Sequence, residues 1–496
     1  MEETANSVNQ VRISTEILLG ADGLMNCQKP QVFPDIGLES STTPNSLVSM
    51  PLDILELIFQ YSLNPSVASR PPDYRSRSSP GHIGSFPDYN LTPMTLCHIN
   101  SHLRNAAFQL SSLWSSVYIC NIALSQIPLL DLFLTNAGTR PLSIVLSISR
   151  QRGFPDIPIL QKVTELLSAR SSQWHTMFLH FGAFASRYIF PNLRREDVVG
   201  LKALGLCLED WNTFDRYRLY NVLVSSPALR ELEWFSTFGD ALPNYIPWHQ
   251  LTHINLYSPR TMGEALSIME KAENLKSMNL GWINPTVFVG QTLPVDPTAV
   301  KAKCLGITHS QTFVTILPRL RYPHLEDLEV DVVDLGPSSS GWDTLSTILI
   351  DPTDSPLLRF TYSSALGVRS PIPVEFYLNQ ILSLPRLSQL VQLVLHCELS
   401  NFLIEFLTHL KPGLFGVRKT VLNLPHLETI SLSRCRLTTD GLVSQMVLSR
   451  ISGKGLPRGC LRHVDVTVMG TCDFKKDKLA FQDLKNRRIS ANLVVL

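Results

Sequence analysis

The sequence predicts a mixed α/β chain: a small helical module, then an irregular solenoid with parallel strands on its concave side and helices and loops outside. Two observations lead to this expectation. An apolar frame of the form L-x-x-L-x-L can be laid down eleven times between residues 174 and 466. Ahead of it, residues 47–119 carry apolar stripes at helical spacing instead of the frame.

Composition sets the outer limits. The chain has 496 residues, 44% hydrophobic and 17% charged, ample for a large core. Its 43 basic and 42 acidic residues leave a net charge of +1, so no global field draws in nucleic acid or an anionic membrane. Nine cysteines are scattered and none forms C-x-x-C. With no signal peptide visible, reduced thiols in a cytoplasmic or nuclear protein are expected. No apolar run approaches the roughly 18 residues of a membrane helix.

Residues 1–46 are polar with little periodicity and are expected to be a disordered tail. The helical module follows, over 47–119. It opens with SMPLDILELIFQYSLNP, residues 49–65, where Leu52, Leu55, Ile58 and Phe59 make one stripe that Ile54 and Leu57 widen. Pro51 suits the first helical turn, where a missing N–H costs nothing. The Pro-, Ser-, Gly- and Arg-rich insert at 65–93 is expected to be a mobile loop without packed elements. Helical patterning resumes over 94–119 with Leu96, Ile99, Leu103, Ala106, Ala107 and Leu110 on one side, then Leu113 and Trp114.

The remaining span, 120–496, is read as the solenoid. Leu129, Leu130, Phe133 and Leu134 predict a helix capped by Gly138, and LSIVLSI at 142–148 predicts a strand. The frames run from Trp174/Met177/Leu179 to Leu461/Val464/Val466, with first positions 22 to 37 residues apart. One unit, LETISLSRCRL at 427–437, matches the whole leucine-rich-repeat frame L-x-x-L-x-L-x-x-C-x-L. Such a frame makes a short parallel strand with its leucines inward, and no unit buries its face alone, so units stack. Returns at 214–227 and 262–274 have helical patterns, whereas 284–301 and 334–356 carry Pro, Gly and Ser and predict irregular loops.

Residues between the leucines point to the concave face, the usual grip of a solenoid. They include Glu231, Glu233 and Phe235; His253, Asn255 and Tyr257; and Asp327, Glu329 and Asp331. The last three are the densest acid cluster and would attract a basic partner. A solvated strand face is the plainer alternative.

The opening stretch resembles the first helix of an F-box, with Met50-Pro51, Ile54-Leu55 and Ile58-Phe59 in the places of Leu-Pro, I-L and I-F. Ile99 to Arg104, Ala107 and Leu113-Trp114 resemble the second half of the motif. With PLLDLFLTNAGTRPLSIVLSI and SSQWHTMFLHF, the chain resembles fungal F-box proteins with leucine-rich-repeat tails over roughly 47–496. Asn100 stands where Cys is usual, Leu103 where Trp is usual, and Met50 where Leu is usual. The resemblance implies a substrate receptor of a cullin–RING ubiquitin ligase. Its F-box would dock on a Skp-family adaptor, and through it a cullin scaffold, while the repeats hold a protein substrate. The adaptor contacts would be Pro51, Leu52, Ile54, Leu55, Ile58 and Phe59, with Leu103, Leu113 and Trp114. Without the resemblance, the same stripe would be read as an internal helical core.

No catalytic signature is present: no G-x-S-x-G, P-loop, H-E-x-x-H or G-x-G-x-x-G. No cofactor is expected. His98 and His102, four apart beside Cys97, could share a helical face around a metal, but no second ligand pair follows, so surface histidines are expected. Two rivals stand beside the receptor: an interaction scaffold whose F-box has decayed, and an enzyme whose site the sequence hides.

Overall fold

The computed structural model describes residues 50–63, 82–85, 93–148, 157–209, 211–235, 245–257, 260–281, 283–284, 297–308, 316–332, 340–351, 353–364, 374–408, 424–437, 439–452, 461–469, 473–486 and 489–496. The tail expected at 1–46 and most of the insert expected at 65–93 lie outside them.

The chain is mixed α/β, built on one large, mostly parallel sheet of fifteen strands. In chain order these are β1 (His82–Gly84), β2 (Ser116–Cys120), β3 (Leu142–Ile148), β4 (Trp174–Gly182), β5 (Ala203–Glu209), β6 (Glu231–Phe235), β7 (His253–Leu256) and β8 (Ser277–Leu280). They continue as β9 (Cys304–Ile307), β10 (Asp327–Val332), β11 (Arg359–Ser364), β12 (Gln392–Leu399), β13 (Thr429–Arg436), β14 (His463–Met469) and β15 (Ser490–Val495). Each strand pairs with the next in sequence. Every pair is parallel except β1 with β2. Residues 50–496 make a single compact unit.

The repeated frame explains this order. Its second positions lie opposite one another strand by strand: Met177, Leu204, Leu232, Ile254, Met278, Leu305, Leu328, Phe360, Leu393, Ile430 and Val464. The third positions, Leu179 through Val466, form a second such row, and both rows are buried in one continuous core. Burying each of these side chains stabilises by about 1.5–3 kcal/mol. A one-residue slip would send a whole row to the other face, so the alternation pins the register. The ladder also runs past the frames, since Val117 and Ile144 precede Met177 in its row and Ala491 follows Val464.

Twelve α-helices occur among the described residues. The module contains α1 (Leu52–Leu63), α2 (Pro93–Ile99) and α3 (Ser101–Gln109). Returns between strands supply α4 (Ile127–Ala137), α5 (Ile157–Ser168), α6 (Thr213–Leu223), α7 (Met262–Lys271), α8 (Ser340–Leu349), α9 (Val374–Leu382), α10 (Asn401–Leu407), α11 (Leu442–Ser452) and α12 (Lys475–Asn486). Their apolar stripes, such as Leu130, Phe133 and Leu134 on α4 or Leu403, Ile404 and Leu407 on α10, join the frame residues in the core. Gly138, at φ +60, ends α4 as expected.

Three expectations need correction. Residues 116–119 are not helical but lie in β2, where Val117 and Ile119 alternate inward. The insert at 65–93 contains a packed strand: Ile83 of β1 is buried, and β1 closes the edge of β2. The return at 334–356 contains a helix, α8, because Trp342, Leu345 and Leu349 make a buried stripe between Pro- and Ser-rich flanks.

Buried arginines fasten successive turns. Arg386, almost fully buried, donates to the carbonyls of Ser355 (2.9 Å), Ile348 (3.1 Å), Tyr322 (3.0 Å) and Leu325 (3.3 Å), and pairs with Asp354 at 3.2 Å. Arg450 donates to Leu407 and Leu424 carbonyls at 2.9 and 3.0 Å. Such carbonyls end helices and loops, where the regular ladder no longer supplies a donor to each of them.

Candidate binding surfaces

The first surface is on α1. The Pro51 carbonyl starts the helix by accepting from the N–H groups of Ile54 and Leu55, both at 3.1 Å. At 100° per residue, Leu57 points away from Leu55 and Phe59, and Ile54 and Ile58 lie on the flank between them. Leu55 and Phe59 are 1% and 4% exposed and belong to the chain's own core. Leu52, Ile54, Leu57 and Ile58 are 36 to 59% exposed, and Pro51 lies beside them at the surface. An apolar arc this wide can serve two surfaces at once.

The residues expected to meet an adaptor therefore split. Leu55, Phe59, Leu103, Leu113 and Trp114 are interior and do not face outward. Trp114 donates its Nε1–H to the Ala107 carbonyl at 2.7 Å, stacks on Phe108 at 5.4 Å and meets the Phe133 ring of α4 edge-on at 5.2 Å. It ties the segment after α3 to α4, and that explains its burial. Ser112 donates to Glu56 at 2.5 Å and holds α1 against the same corner. Asn100 accepts from the Leu103 N–H at 2.8 Å, capping α3. That cap separates α2 from α3, so His98 and His102 lie on different helices. Among the described residues no group of three His, Cys, Asp or Glu side chains could hold a metal, and no helix is long and apolar enough to cross a membrane.

The second surface is the sheet face opposite the frame leucines. Register places one row of residues across it: Phe178, Gly205, Glu233, Asn255, Asn279, Gly306, Glu329 and Thr361. Glu233 is buried, 6% exposed, and its Oε1 has no hydrogen-bond partner. Burial pushes its carboxyl up to about 7, and a hydrogen bond from the Asn255 side chain offsets part of that shift. Asn279 Nδ2 donates to Asn255 Oδ1 at 2.7 Å, extending the polar row over a third strand. A Cβ on Gly306 would come within 1.7 Å of Asn279 Oδ1, and one on Gly205 within 2.0 Å of the Phe178 ring. The two glycines thus let their neighbours lie flat across the strands.

On either side of Glu233 along β6, Glu231 lies 4.0 Å from His253 in an exposed pair, and Phe235 stacks on Tyr257 with centroids 4.4 Å apart. Farther along the sheet Asp327, Glu329 and Asp331 share one face of β10, and Arg359 of β11 reaches Asp327 at 3.3 Å. Burial raises the Asp327 carboxyl and Arg359 lowers it. The acid cluster is thus partly neutralised from within the chain, which its sequence alone did not indicate.

Phe178, Gly205, Asn279 and Gly306 were absent from the expected grip residues. Each occupies the fourth place after the start of its frame, the place Glu233 and Asn255 hold in theirs. Following that single place from frame to frame would have found them. Burial also pushes the Cys435 thiol up to about 12, which fits a packed rather than a nucleophilic sulfur. The chain matches no protein-family model, and no curated protein matches it.

Proposed function

We propose that this chain is a non-enzymatic substrate receptor of the F-box type, whose α1–α3 module docks on a Skp-family adaptor and whose stacked strands form an irregular leucine-rich-repeat solenoid that grips a protein substrate. The observation that carries the proposal is the outward side of α1, where Ile54, Leu57 and Ile58 are apolar and exposed although Leu55 and Phe59 already anchor the helix. A second apolar side on a short helix fits a partner's groove. The eleven in-register frames and the polar rows on the opposite face support a grip behind it. A receptor of this kind forms no bond itself. It raises the local concentration of its cargo beside a ubiquitin-loaded enzyme.

The rival scaffold, a solenoid whose module no longer binds an adaptor, is favoured by the burial of Leu103, Leu113 and Trp114 in the chain's own core. Tagged full-length chain, recovered from cells with its bound proteins, decides between them. The receptor requires a Skp-family adaptor in the eluate, and its loss in the Ile54→Asp/Ile58→Asp variant. No adaptor with the wild-type chain, or equal recovery with the variant, leaves the scaffold.

A further inference from the structure

Glu233 lies within the sheet face opposite the frame leucines and is more than nine-tenths buried, yet its Oε1 meets no donor. A buried oxygen of this kind carries a desolvation penalty that only a donor or a cation removes. No lysine or arginine among the described residues pairs with it, although Arg359 reaches Asp327 farther along the same face. The groups around Glu233 have complementary chemistry. On β5 the paired residue is Gly205, covered by the Phe178 ring. On β7 the paired residue is Asn255, whose amide is steadied by Asn279. Two residues on, Phe235 and Tyr257 present a stacked aromatic pair that is only half-buried. The other titratable groups on this part of the face include Glu231 on the same strand with His253 opposite it and His175 and Lys202 near it, and Cys207 opposite Phe235 with His180 on its other side. A carboxylate, an oriented amide and aromatic faces together are what an organic cation needs. One carboxylate with two amides is a poor set for a metal, in line with the absence of a three-ligand group among the described residues.

We propose that Glu233 and Asn255, beside the Phe235–Tyr257 pair, take up a basic side chain from a partner protein, the ammonium of a lysine or the guanidinium of an arginine. This rests on the reading of that sheet face as the grip of the receptor, and it names the chemistry the grip selects. The raised Glu233 carboxyl agrees, because a cation in place would draw its proton off.

The test uses purified full-length chain and three capped amino acids: N-acetyl-arginine amide, N-acetyl-lysine amide, and N-acetyl-citrulline amide as the uncharged isostere of the first. Calorimetric titration is expected to give saturable binding of the arginine or the lysine compound, and which of the two identifies the cation. Citrulline should bind at least roughly tenfold more weakly, and Glu233→Gln should lower the cation's affinity by at least as much. The thermal midpoint of Glu233→Gln should be unchanged or higher, which separates lost binding from lost fold. Titration below neutral pH in two buffers of different ionisation enthalpy should show proton release on binding. Absence of saturable binding by both cations, equal binding of citrulline, or an affinity untouched by Glu233→Gln would overturn the proposal. Adaptor capture is scored separately. Cation binding without adaptor sinks only the receptor, and adaptor without cation binding sinks only this site.

Discussion

Asp440 and Asp477 cap each other's helices. The Asp440 carboxylate, just before α11, accepts from the N–H of Lys476 at 3.1 Å and of Asp477 at 3.3 Å, in the first turn of α12. The Asp477 carboxylate, fully buried, accepts in return from Gly441 at 2.9 Å and Ser444 at 2.7 Å, at the start of α11. Gly441 takes φ +93, a conformation that side chains disfavour, in the turn that aims its N–H at Asp477. Glu375 of α9 does the same one-sidedly for α10, accepting from the N–H and hydroxyl of Ser400. Carboxylates at helix N-termini both satisfy orphan donors and complement the helix dipole. Used across two returns, they fix the spacing between neighbouring helices.

Unequal costs follow from that exchange. Asp477→Ala leaves the buried N–H of Ser444 and the half-buried N–H of Gly441 without acceptors and should cost about 2–4 kcal/mol. Asp440→Ala exposes its donors to water and should cost about 1 kcal/mol. Urea midpoints of the two variants check the ranking, and equal shifts would mean that burial does not set the cost.

Arg386 should not tolerate conservative replacement. Its guanidinium serves four carbonyls and Asp354 from a buried position. A lysine offers one compact head where the site needs a planar fork. Arg386→Lys and Arg386→Met are both expected to lose about 3–5 kcal/mol, since each strands the carbonyls and Arg386→Met also strands Asp354. A Lys variant with wild-type thermal midpoint would contradict this account.

The parts of the molecule legible in sequence are those where one residue type repeats at one place. The frame leucines show because a parallel strand buried on one face demands an apolar residue at Met177, Leu204, Leu232 and each counterpart after them. Strands β1, β2 and β15 escaped the frame because they sit at the ends of the sheet. Their inward residues, such as Ile83 and Ala491, lack the leucine spacing. Helix α8 escaped because its flanks are rich in Pro and Ser while its stripe is only three residues long. On α1 the residue types were informative and the direction was not. A helix apolar on both sides does not say which side is internal, and the burial of Leu55 and Phe59 beside the exposure of Ile54 and Leu57 settles it. At the sheet face, Glu233 and Asn255 stood out as polar residues in strands, but the burial of one and the bond between them arise from neighbours brought in by register.

Stability should fall as pH rises through the range set by Glu233. The ordinary value of its carboxyl is 4.5, and in the folded chain it is pushed up to about 7. Below the lower value both states hold the proton. Between the two values the unfolded chain releases it and the folded chain keeps it, so unfolding becomes easier as pH rises. Above the upper value this contribution is constant. The full swing is about 3 kcal/mol. Glu233→Gln should flatten this part of the pH profile and match or exceed the wild type at slightly alkaline pH. A wild-type urea midpoint that rises from about pH 5 to about pH 8 while the variant's stays level would contradict the sign.

Substitutions on the two sides of α1 should separate folding from docking. Phe59 is 4% exposed inside the module core. Phe59→Asp buries a charge without a partner, and a loss above about 4 kcal/mol is expected, enough to open the module. Ile54 and Ile58 are 40% and 36% exposed, so an aspartate at either can keep its charge in water. Ile54→Asp and Ile58→Asp should each fall within about 1 kcal/mol of the wild type. If the outward side of α1 meets an adaptor, these two variants lose it while their circular dichroism and thermal midpoints stay in place. Phe59→Asp would lose both together and so could not distinguish docking from folding. Should Ile58→Asp melt the module as Phe59→Asp does, the helix has one buried surface and no free side to offer.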